Sequence, residues 1–125
     1  TTEIYTLSLH DALPIFYYYR EQAALKARQY QRALDDIVKA IELSPKDLTY
    51  RAEHAVVNLR VGRYEESMKI LNEILKDEPK YGEAYRLLGL CQIQLKKTDE
   101  ACGNFNKAKE LGDPNVDELI KKYCK

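Results

Sequence analysis

The side chains that most often do chemistry occur in this sequence without a catalytic arrangement. The chain contains two histidines, His10 and His54, and three cysteines. A metal site needs three or four converging ligands, and the sequence has no Cys-x-x-Cys pair and no second histidine near either one. The acidic pairs Asp35–Asp36 and Glu65–Glu66 lie on predicted helix faces that point to solvent, where a carboxyl group is a poor general acid. We therefore expect no catalytic activity, no metal and no cofactor.

The composition predicts a single, charge-balanced, helical domain. The chain has 125 residues and a mass of 14.5 kDa, which is enough for one core and too little for two. It has 20 basic and 20 acidic residues, and a nucleic-acid partner would normally require a basic excess. The five glycines form no phosphate-binding loop. No apolar run reaches the roughly 20 residues that cross a bilayer, so we expect no membrane span in this chain.

Similar residues recur every 34 positions along the chain, in three copies. Small side chains align with small ones and large apolar side chains with large ones, and a proline follows each of the first two copies. A period sustained over three copies indicates a repeated pair of elements that stack side by side. The recurring columns are Tyr30, Tyr64 and Thr98; Ala33, Ser67 and Ala101; Ile37, Leu71 and Phe105; Ala40, Ile74 and Ala108; and Pro45 with Pro79.

Each copy is predicted to form two helices joined by a tight turn. In the second copy, the apolar spacing predicts helices over residues 49–61 and 64–76, with Gly62 in the turn between them. Pro79 ends the second helix, because the residue before a proline avoids the helical region. After the third copy, Val116, Leu119 and Ile120 share one face of a final short helix at residues 115–123. Its opposite face is polar, as the end of a repeat array requires.

The third copy carries residues that resemble the tetratricopeptide repeat family. The matching residues are Tyr85, Leu88, Gly89, Ala101, Phe105 and Ala108. The first copy departs from the family, with Arg20 and Glu21 where Leu-Gly is usual. The resemblance covers residues 14–114 and implies an all-α, right-handed α-α superhelix of three helix-turn-helix repeats, at about residues 14–47, 48–81 and 82–114, with a capping helix at about 115–124. It also implies a non-catalytic protein–protein interaction function, as a scaffold or adaptor.

The resemblance further implies that a peptide or partner helix binds the first helices of the repeats, on their concave side. The residues predicted to contact this ligand are Tyr18, Gln22, Lys26, Val56, Arg60, Arg86, Leu90 and Gln94. This mixture of apolar and basic side chains suits a partner with acidic and apolar side chains. Leu25, Leu59 and Ile93 recur on the same helices, and the sequence leaves open whether they contact the ligand or only pack between helices.

Some members of this family clamp a C-terminal carboxylate with basic and asparagine side chains, and we do not expect that activity here. The equivalent positions hold Tyr18, Gln22, Glu53, Val56, Glu83 and Leu87. Two alternatives to a free-standing adaptor stay open. In the first, the chain would be the C-terminal structural part of a longer array, and in the second it would be the docking domain of a protein with an upstream catalytic domain. An RNA-binding helical repeat is disfavoured by the zero net charge and by the period of 34.

The three cysteines are predicted to differ in role. Cys91 is expected to be a buried thiol. Cys102 begins the last second helix and Cys124 ends the final helix, and antiparallel packing of these helices would bring the two side chains level. The C-terminal segment also resembles the end of some exported bacterial tetratricopeptide proteins. We therefore expect a disulfide between Cys102 and Cys124. Such a bond forms only in an oxidising compartment, so its presence favours an exported protein and its absence a cytoplasmic one.

Residues 1–15 fit neither the repeat register nor a helical stripe. They resemble, without a mismatch, the translation of a widely used short-read sequencing adapter. We therefore expect this segment to be non-native and the repeat domain to span residues 16–125, the alternative being a genuine N-terminal arm. For the same reason, Ser8, His10 and Asp11 are not interpreted as a catalytic group, and the missing signal peptide carries no information.

Overall fold

The computed structural model describes the backbone of residues 2–125 and the side chains of residues 12–125. Within that range the chain forms seven α-helices and no strand, which confirms the predicted all-α class. The helices are α1 (Thr2–Lys26), α2 (Tyr30–Leu43), α3 (Leu48–Arg60), α4 (Tyr64–Asp77), α5 (Gly82–Gln94), α6 (Thr98–Glu110) and α7 (Asp117–Tyr123). They fall into two compact units, Thr1–Val57 and Asn58–Lys125. The predicted bounds of α3 and α4 agree with the observed ones to within one residue.

The first helix begins earlier than the predicted first repeat, because α1 includes Pro14 and extends back to Thr2. Most of the predicted adapter-derived segment, residues 1–15, lies outside the residues whose side chains are described. The same holds for Ser8, His10 and Asp11. The origin of this segment therefore stays a prediction.

The turns between the two helices of the three repeats share one backbone conformation. Arg28, Gly62 and Lys96 stand 34 positions apart and have φ angles of 59°, 86° and 62°. In each turn the next residue donates its N–H to a carbonyl five residues back, at 2.8 Å. Such bonds satisfy carbonyl groups that the helix end leaves without partners. Only the second turn places glycine, the residue that tolerates positive φ best, at this position.

Each unit has its own hydrophobic core. In Thr1–Val57, residues of α1, α2 and α3 form one cluster, and in Asn58–Lys125 residues of α6 and the segment leading into α7 form another. The first cluster consists of Ala24, Leu25, Ala33, Ile37, Ala40, Tyr50 and Val57, and the second of Ala101, Phe105, Ala108 and Val116. The small residues of the repeat are fully buried, as expected where two helices approach closely.

Gly89 of α5 and Phe105 of α6 form a close helix contact in the second unit. A Cβ atom at Gly89 would collide with the Phe105 ring, which is itself fully buried. We therefore predict that Gly89→Ala lowers the free energy of unfolding by about 2 kcal/mol through overpacking. Urea denaturation followed by circular dichroism measures this loss.

The second repeat shows which second substitution should compensate for Gly89→Ala. Its equivalent positions hold Ala55 and Leu71, an alanine with a smaller partner. The double variant Gly89→Ala/Phe105→Leu should therefore recover part of the loss, which a double-mutant cycle detects as a coupling energy. Purely additive losses would contradict the proposed contact.

Candidate functional site

Four of the predicted ligand-contacting residues lie in the first unit, on α1 and α3. Tyr18, Gln22 and Lys26 follow each other at one-turn spacing on α1, so they share one helix face. Tyr18 and Gln22 are half-buried and Lys26 is exposed, while Val56 is partly buried against the core. The Tyr18 ring lies 5.3 Å from the ring of Tyr50, centroid to centroid. Burial, followed by the charge of a neighbouring acid, raises the pKa of Tyr18.

The other four predicted residues lie in the second unit. Arg60 is the last residue of α3 and Gln94 the last of α5, and both are exposed. Leu90 is partly buried and packs against the Phe105 cluster together with Ile93. Packing between helices therefore explains why an apolar residue occupies position 93. It also explains Leu25, whose side chain is only 6% exposed in the core of the first unit.

Arg86 is held by carboxylates of its own chain. Its Nε donates to Asp113 at 2.9 Å, and its Nη2 lies 3.5 Å from Glu83. The Asp113 side chain is 3% exposed and also accepts the backbone N–H of Asn115. Arg86 therefore neutralises a buried acid, and the exposed cations of the predicted set are Lys26 and Arg60.

An open depression of about 300 Å³ lies beside Arg86, between the start of α5 and the segment before α7. Lys80, Tyr81 and Asn115 contribute to its lining, which carries charges of both signs. The Tyr81 hydroxyl donates to Glu83 at 3.0 Å. Such a lining can accommodate a polar side chain of a ligand.

Asp36 corrects the sequence interpretation, which assigned the Asp35–Asp36 pair to solvent. Asp36 is 3% exposed, and Arg20 donates to it from both Nε and Nη2, at 2.9 and 2.7 Å. Asp36 precedes the core residue Ile37 and points to α1, where Arg20 is its partner. Helical periodicity alone gave no signal for this pair, because the partner lies 16 residues away on another helix.

Sequence reasoning also missed a buried acid next to the predicted contact residues. Glu21 is completely buried, and its carboxyl group lies beside that of Glu53 on α3. Burial, reinforced by the charge of Glu53 on α3, raises the pKa of Glu21 from 4.5 to about 9. Glu21 and Glu53 therefore favour sharing a proton, because two neighbouring carboxylates disfavour full ionisation. The available signal was its departure from the small residue that the repeat pattern usually places there.

Cys102 and Cys124 form a disulfide, with Sγ atoms 2.05 Å apart and Cα atoms 5.7 Å apart. The structure thus brings together the two cysteines that the sequence analysis paired. Cys91 is a buried thiol outside that bond, and burial raises its pKa. His54 lies partly buried on α3.

Among the residues that the structure describes, no three His, Cys, Asp or Glu side chains converge as a metal site. None of the described helices combines the length and the apolar character needed to cross a membrane.

Comparison with known sequences identifies the repeat. The sequence model of the tetratricopeptide repeat matches residues 24–87 and 58–103, which together cover well over half of the chain. The chain belongs to the tetratricopeptide repeat family. Its three helix pairs α1–α2, α3–α4 and α5–α6 are therefore tetratricopeptide repeats, and α7 follows the last of them.

Individual tetratricopeptide proteins resemble this chain to different extents. It is 30% identical over 99 residues to the small glutamine-rich tetratricopeptide repeat-containing protein 2 of Mycosarcoma maydis, covering 79% of this chain and 28% of that protein. The chain spans less than a third of the length of the first curated relatives that it matches.

Two solved tetratricopeptide structures share the fold. The first such domain of Spaghetti (RPAP3), bound to the HSP90 peptide SRMEEVD, has a TM-score of 0.75 at 18% identity, covering 89% of this chain and 90% of that one. The second such domain of human RPAP3, in complex with the HSP70 peptide SGPTIEEVD, has a TM-score of 0.74 at 22% identity, covering 93% and 98%. These likenesses show that the chain has the tetratricopeptide fold.

Proposed function

We propose that the chain is a non-catalytic scaffold or adaptor whose first helices, α1, α3 and α5, bind an extended peptide or a partner helix. The observation that carries the proposal is membership of the tetratricopeptide family, together with solved structures of this fold that hold short peptides. All eight predicted contact residues lie on these three helices. Each of them is at least partly exposed.

The proposed partner carries acidic and apolar side chains. Lys26 and Arg60 present exposed cations at the ends of α1 and α3, and Val56 and Leu90 add partly exposed aliphatic surface. Opposite charges attract and steer a ligand, whereas apolar contacts contribute affinity that salt does not screen. The peptides held by the two RPAP3 domains both end in Glu-Glu-Val-Asp, which combines these two chemistries.

A terminal carboxylate is not expected to be the recognised group. The positions that clamp such a carboxylate in some family members hold Glu53 and Glu83 here, and like charges repel. We therefore propose that acidic side chains within the peptide, rather than its C-terminus, contribute to the affinity. A peptide with a free C-terminus and its amidated form should then bind within about 2-fold of each other.

Fluorescence anisotropy with labelled SRMEEVD tests this function. We expect a dissociation constant in the micromolar range, as for a short peptide with few anchoring contacts. Lys26→Glu and Arg60→Glu should each weaken binding by several-fold at low salt, and by less at high salt because exposed charges are screened.

Lys69→Glu on α4 is the matched control, because Lys69 is also an exposed cation but lies on a second helix. It should leave the affinity unchanged. Absence of binding at millimolar protein would reject the acidic-peptide partner. Equal losses in Lys69→Glu and Arg60→Glu would reject the proposed surface.

A further inference from the structure

An aspartate of the chain itself occupies Arg86, one of the cations proposed to contact the peptide. Arg86 Nε donates to Asp113 Oδ2 at 2.9 Å, and Arg86 Nη2 lies 3.5 Å from Glu83 Oε1. The Arg86 side chain is only 16% exposed and that of Asp113 only 3%. One cation is thus matched by two carboxylates, which gives the group a net negative charge. Such a group repels an acidic side chain of a ligand.

Asp113 reaches Arg86 from the segment that connects α6 to α7. Its Oδ1 accepts the backbone N–H of Asn115 at 2.7 Å while its Oδ2 accepts from Arg86, so one carboxylate joins this segment to α5. One residue further on, Val116 is fully buried in the cluster around Phe105. The turn that directs Asp113 to Arg86 therefore leads straight into the packing that holds α7 on α6.

The disulfide between Cys102 and Cys124 fastens the other end of the same segment to α6. The α7 helix between them has seven residues, none of them fully buried, and a helix this short depends on contacts outside itself. Cys102 and Cys124 are both partly exposed, whereas Cys91 is fully buried. A dithiol reductant in solution can therefore reach the bond, and reduction removes a covalent tie of the segment that carries Asp113.

The open depression of about 300 Å³ beside this ion pair has room for a side chain of a ligand. Arg86, Asp113 and Lys80 all contribute to its lining, and Lys80 is exposed. When Asp113 moves away, the lining loses a negative charge and keeps both cations. A guanidinium group that has lost one carboxylate binds another in the same paired geometry, so the depression then suits an acidic side chain.

We propose that Asp113 is an autoinhibitory group, which occupies Arg86 while the disulfide holds the C-terminal segment and yields to an acidic side chain of the ligand once a dithiol reduces that bond. The inference rests on the acidic-peptide function proposed above. A thiolate of the dithiol attacks one sulfur of the disulfide to form a mixed disulfide, and its second thiol then closes a disulfide within the reductant. Two electrons and two protons thereby pass to Cys102 and Cys124, which become thiols.

Fluorescence anisotropy with labelled SRMEEVD, measured on the oxidised and the reduced chain, tests the proposal. The apparent affinity scales with the fraction of molecules in which Arg86 is available to the ligand, so we expect binding about 5-fold tighter after reduction. The combined variant Cys102→Ser/Cys124→Ser should bind like the reduced parent without any reductant. A control peptide with glutamine for both glutamates and asparagine for the aspartate should show no redox response, because it has no acidic side chain.

Variants of the two ion-pair partners assign the redox response to Arg86. Asp113→Asn removes the competing charge and keeps the shape, so its oxidised form should bind SRMEEVD about as tightly as the reduced parent. Arg86→Gln should bind with one affinity in both redox states, because the group released by reduction is gone. Cys91→Ala is the matched control and should keep the full response, since Cys91 is outside the disulfide. Circular dichroism verifies that each variant is folded.

The ion pair can also be followed without peptide, through the NMR signal of the Arg86 Nε–H group. Its hydrogen exchange should be slow in the oxidised chain and accelerate on reduction, and unchanged exchange would overturn the proposal. Equal affinity for SRMEEVD in the two redox states would also overturn it, but would leave the proposed acidic-peptide function standing. Absence of binding in both states would instead reject that function and the proposed ligand of Arg86 with it.

Discussion

Reducing the Cys102–Cys124 disulfide should lower the free energy of unfolding by about 3 kcal/mol, on the chain-entropy model of a cross-link. The two cysteines are 22 positions apart, so the bond restricts a long loop in the unfolded chain. Urea denaturation with and without a phosphine reductant, followed by circular dichroism, measures the difference. The midpoint should fall while the slope rises, because the reduced chain exposes more surface on unfolding.

The loss of stability on reduction should be concentrated at the C-terminal end of the chain. The α7 helix has seven residues, too few to be stable alone, yet Leu119, Ile120 and Tyr123 pack against the α6 core. The disulfide fastens the end of α7 to α6 beside these contacts. Amide exchange should therefore accelerate first at residues 115–124 when the bond is reduced.

Two variants control for the reductant. Cys102→Ser combined with Cys124→Ser should show the reduced midpoint and no further response to reductant. Cys91→Ala should keep the full response, since Cys91 is outside the bond. Identical midpoints for the parent with and without reductant would show that the bond does not form in the folded protein.

Periodicity predicted the helices because their packing depends on local spacing. The column of Ala33, Ser67 and Ala101 is fully buried in all three repeats, so a small residue every 34 positions marks the helix contacts directly. Gly62 marked its turn for a similar reason, since positive φ favours glycine. Arg28 and Lys96 adopt positive φ in the equivalent turns without such a signal. Their conformation follows from the repeat rather than from residue type.

Partnerships between distant side chains were not predictable in the same way. Periodicity places a residue on a helix face but does not identify what opposes it. Arg20 with Asp36 and Arg86 with Asp113 are 16 and 27 positions apart and join different segments. Arg86 was predicted to contact the ligand, and its ion pair with buried Asp113 was not foreseen.

Departures from the repeat pattern were the most informative signal that the sequence contained. Glu21 stands at the position that Ala55 and Gly89 occupy in the other repeats, and it is fully buried. Its equivalent partner on the second helix is Ile37, where the third repeat has Phe105. The larger Glu21 side chain is thus accompanied by a smaller residue on α2.

Glu21→Gln should remove most of the pH dependence of stability between about pH 5 and 9. The raised pKa of Glu21, about 9 in the folded chain against an ordinary 4.5, means that the folded state holds an extra proton in this range. The contribution of Glu21 to the free energy of unfolding is therefore fully present below pH 4.5 and decreases as the pH rises towards 9, by up to about 1.4 kcal/mol per pH unit. Glutamine keeps the shape of the protonated acid and does not titrate.

Other charged groups lie near Glu21 and also affect how the free energy of unfolding changes with pH. Glu53 on α3 and Asp36 on α2 both raise its pKa, and Arg20 pairs with Asp36. Urea midpoints measured at pH 5 and pH 8 should differ widely for the parent and little for Glu21→Gln. The control is Glu65→Gln at an exposed position, which should keep the pH dependence of the parent. Parallel profiles for the parent and Glu21→Gln would show that Glu21 ionises normally in the folded chain. The variant should also exceed the parent in stability at pH 8, because folding of the parent requires Glu21 to take up a proton at this pH, whereas glutamine needs none.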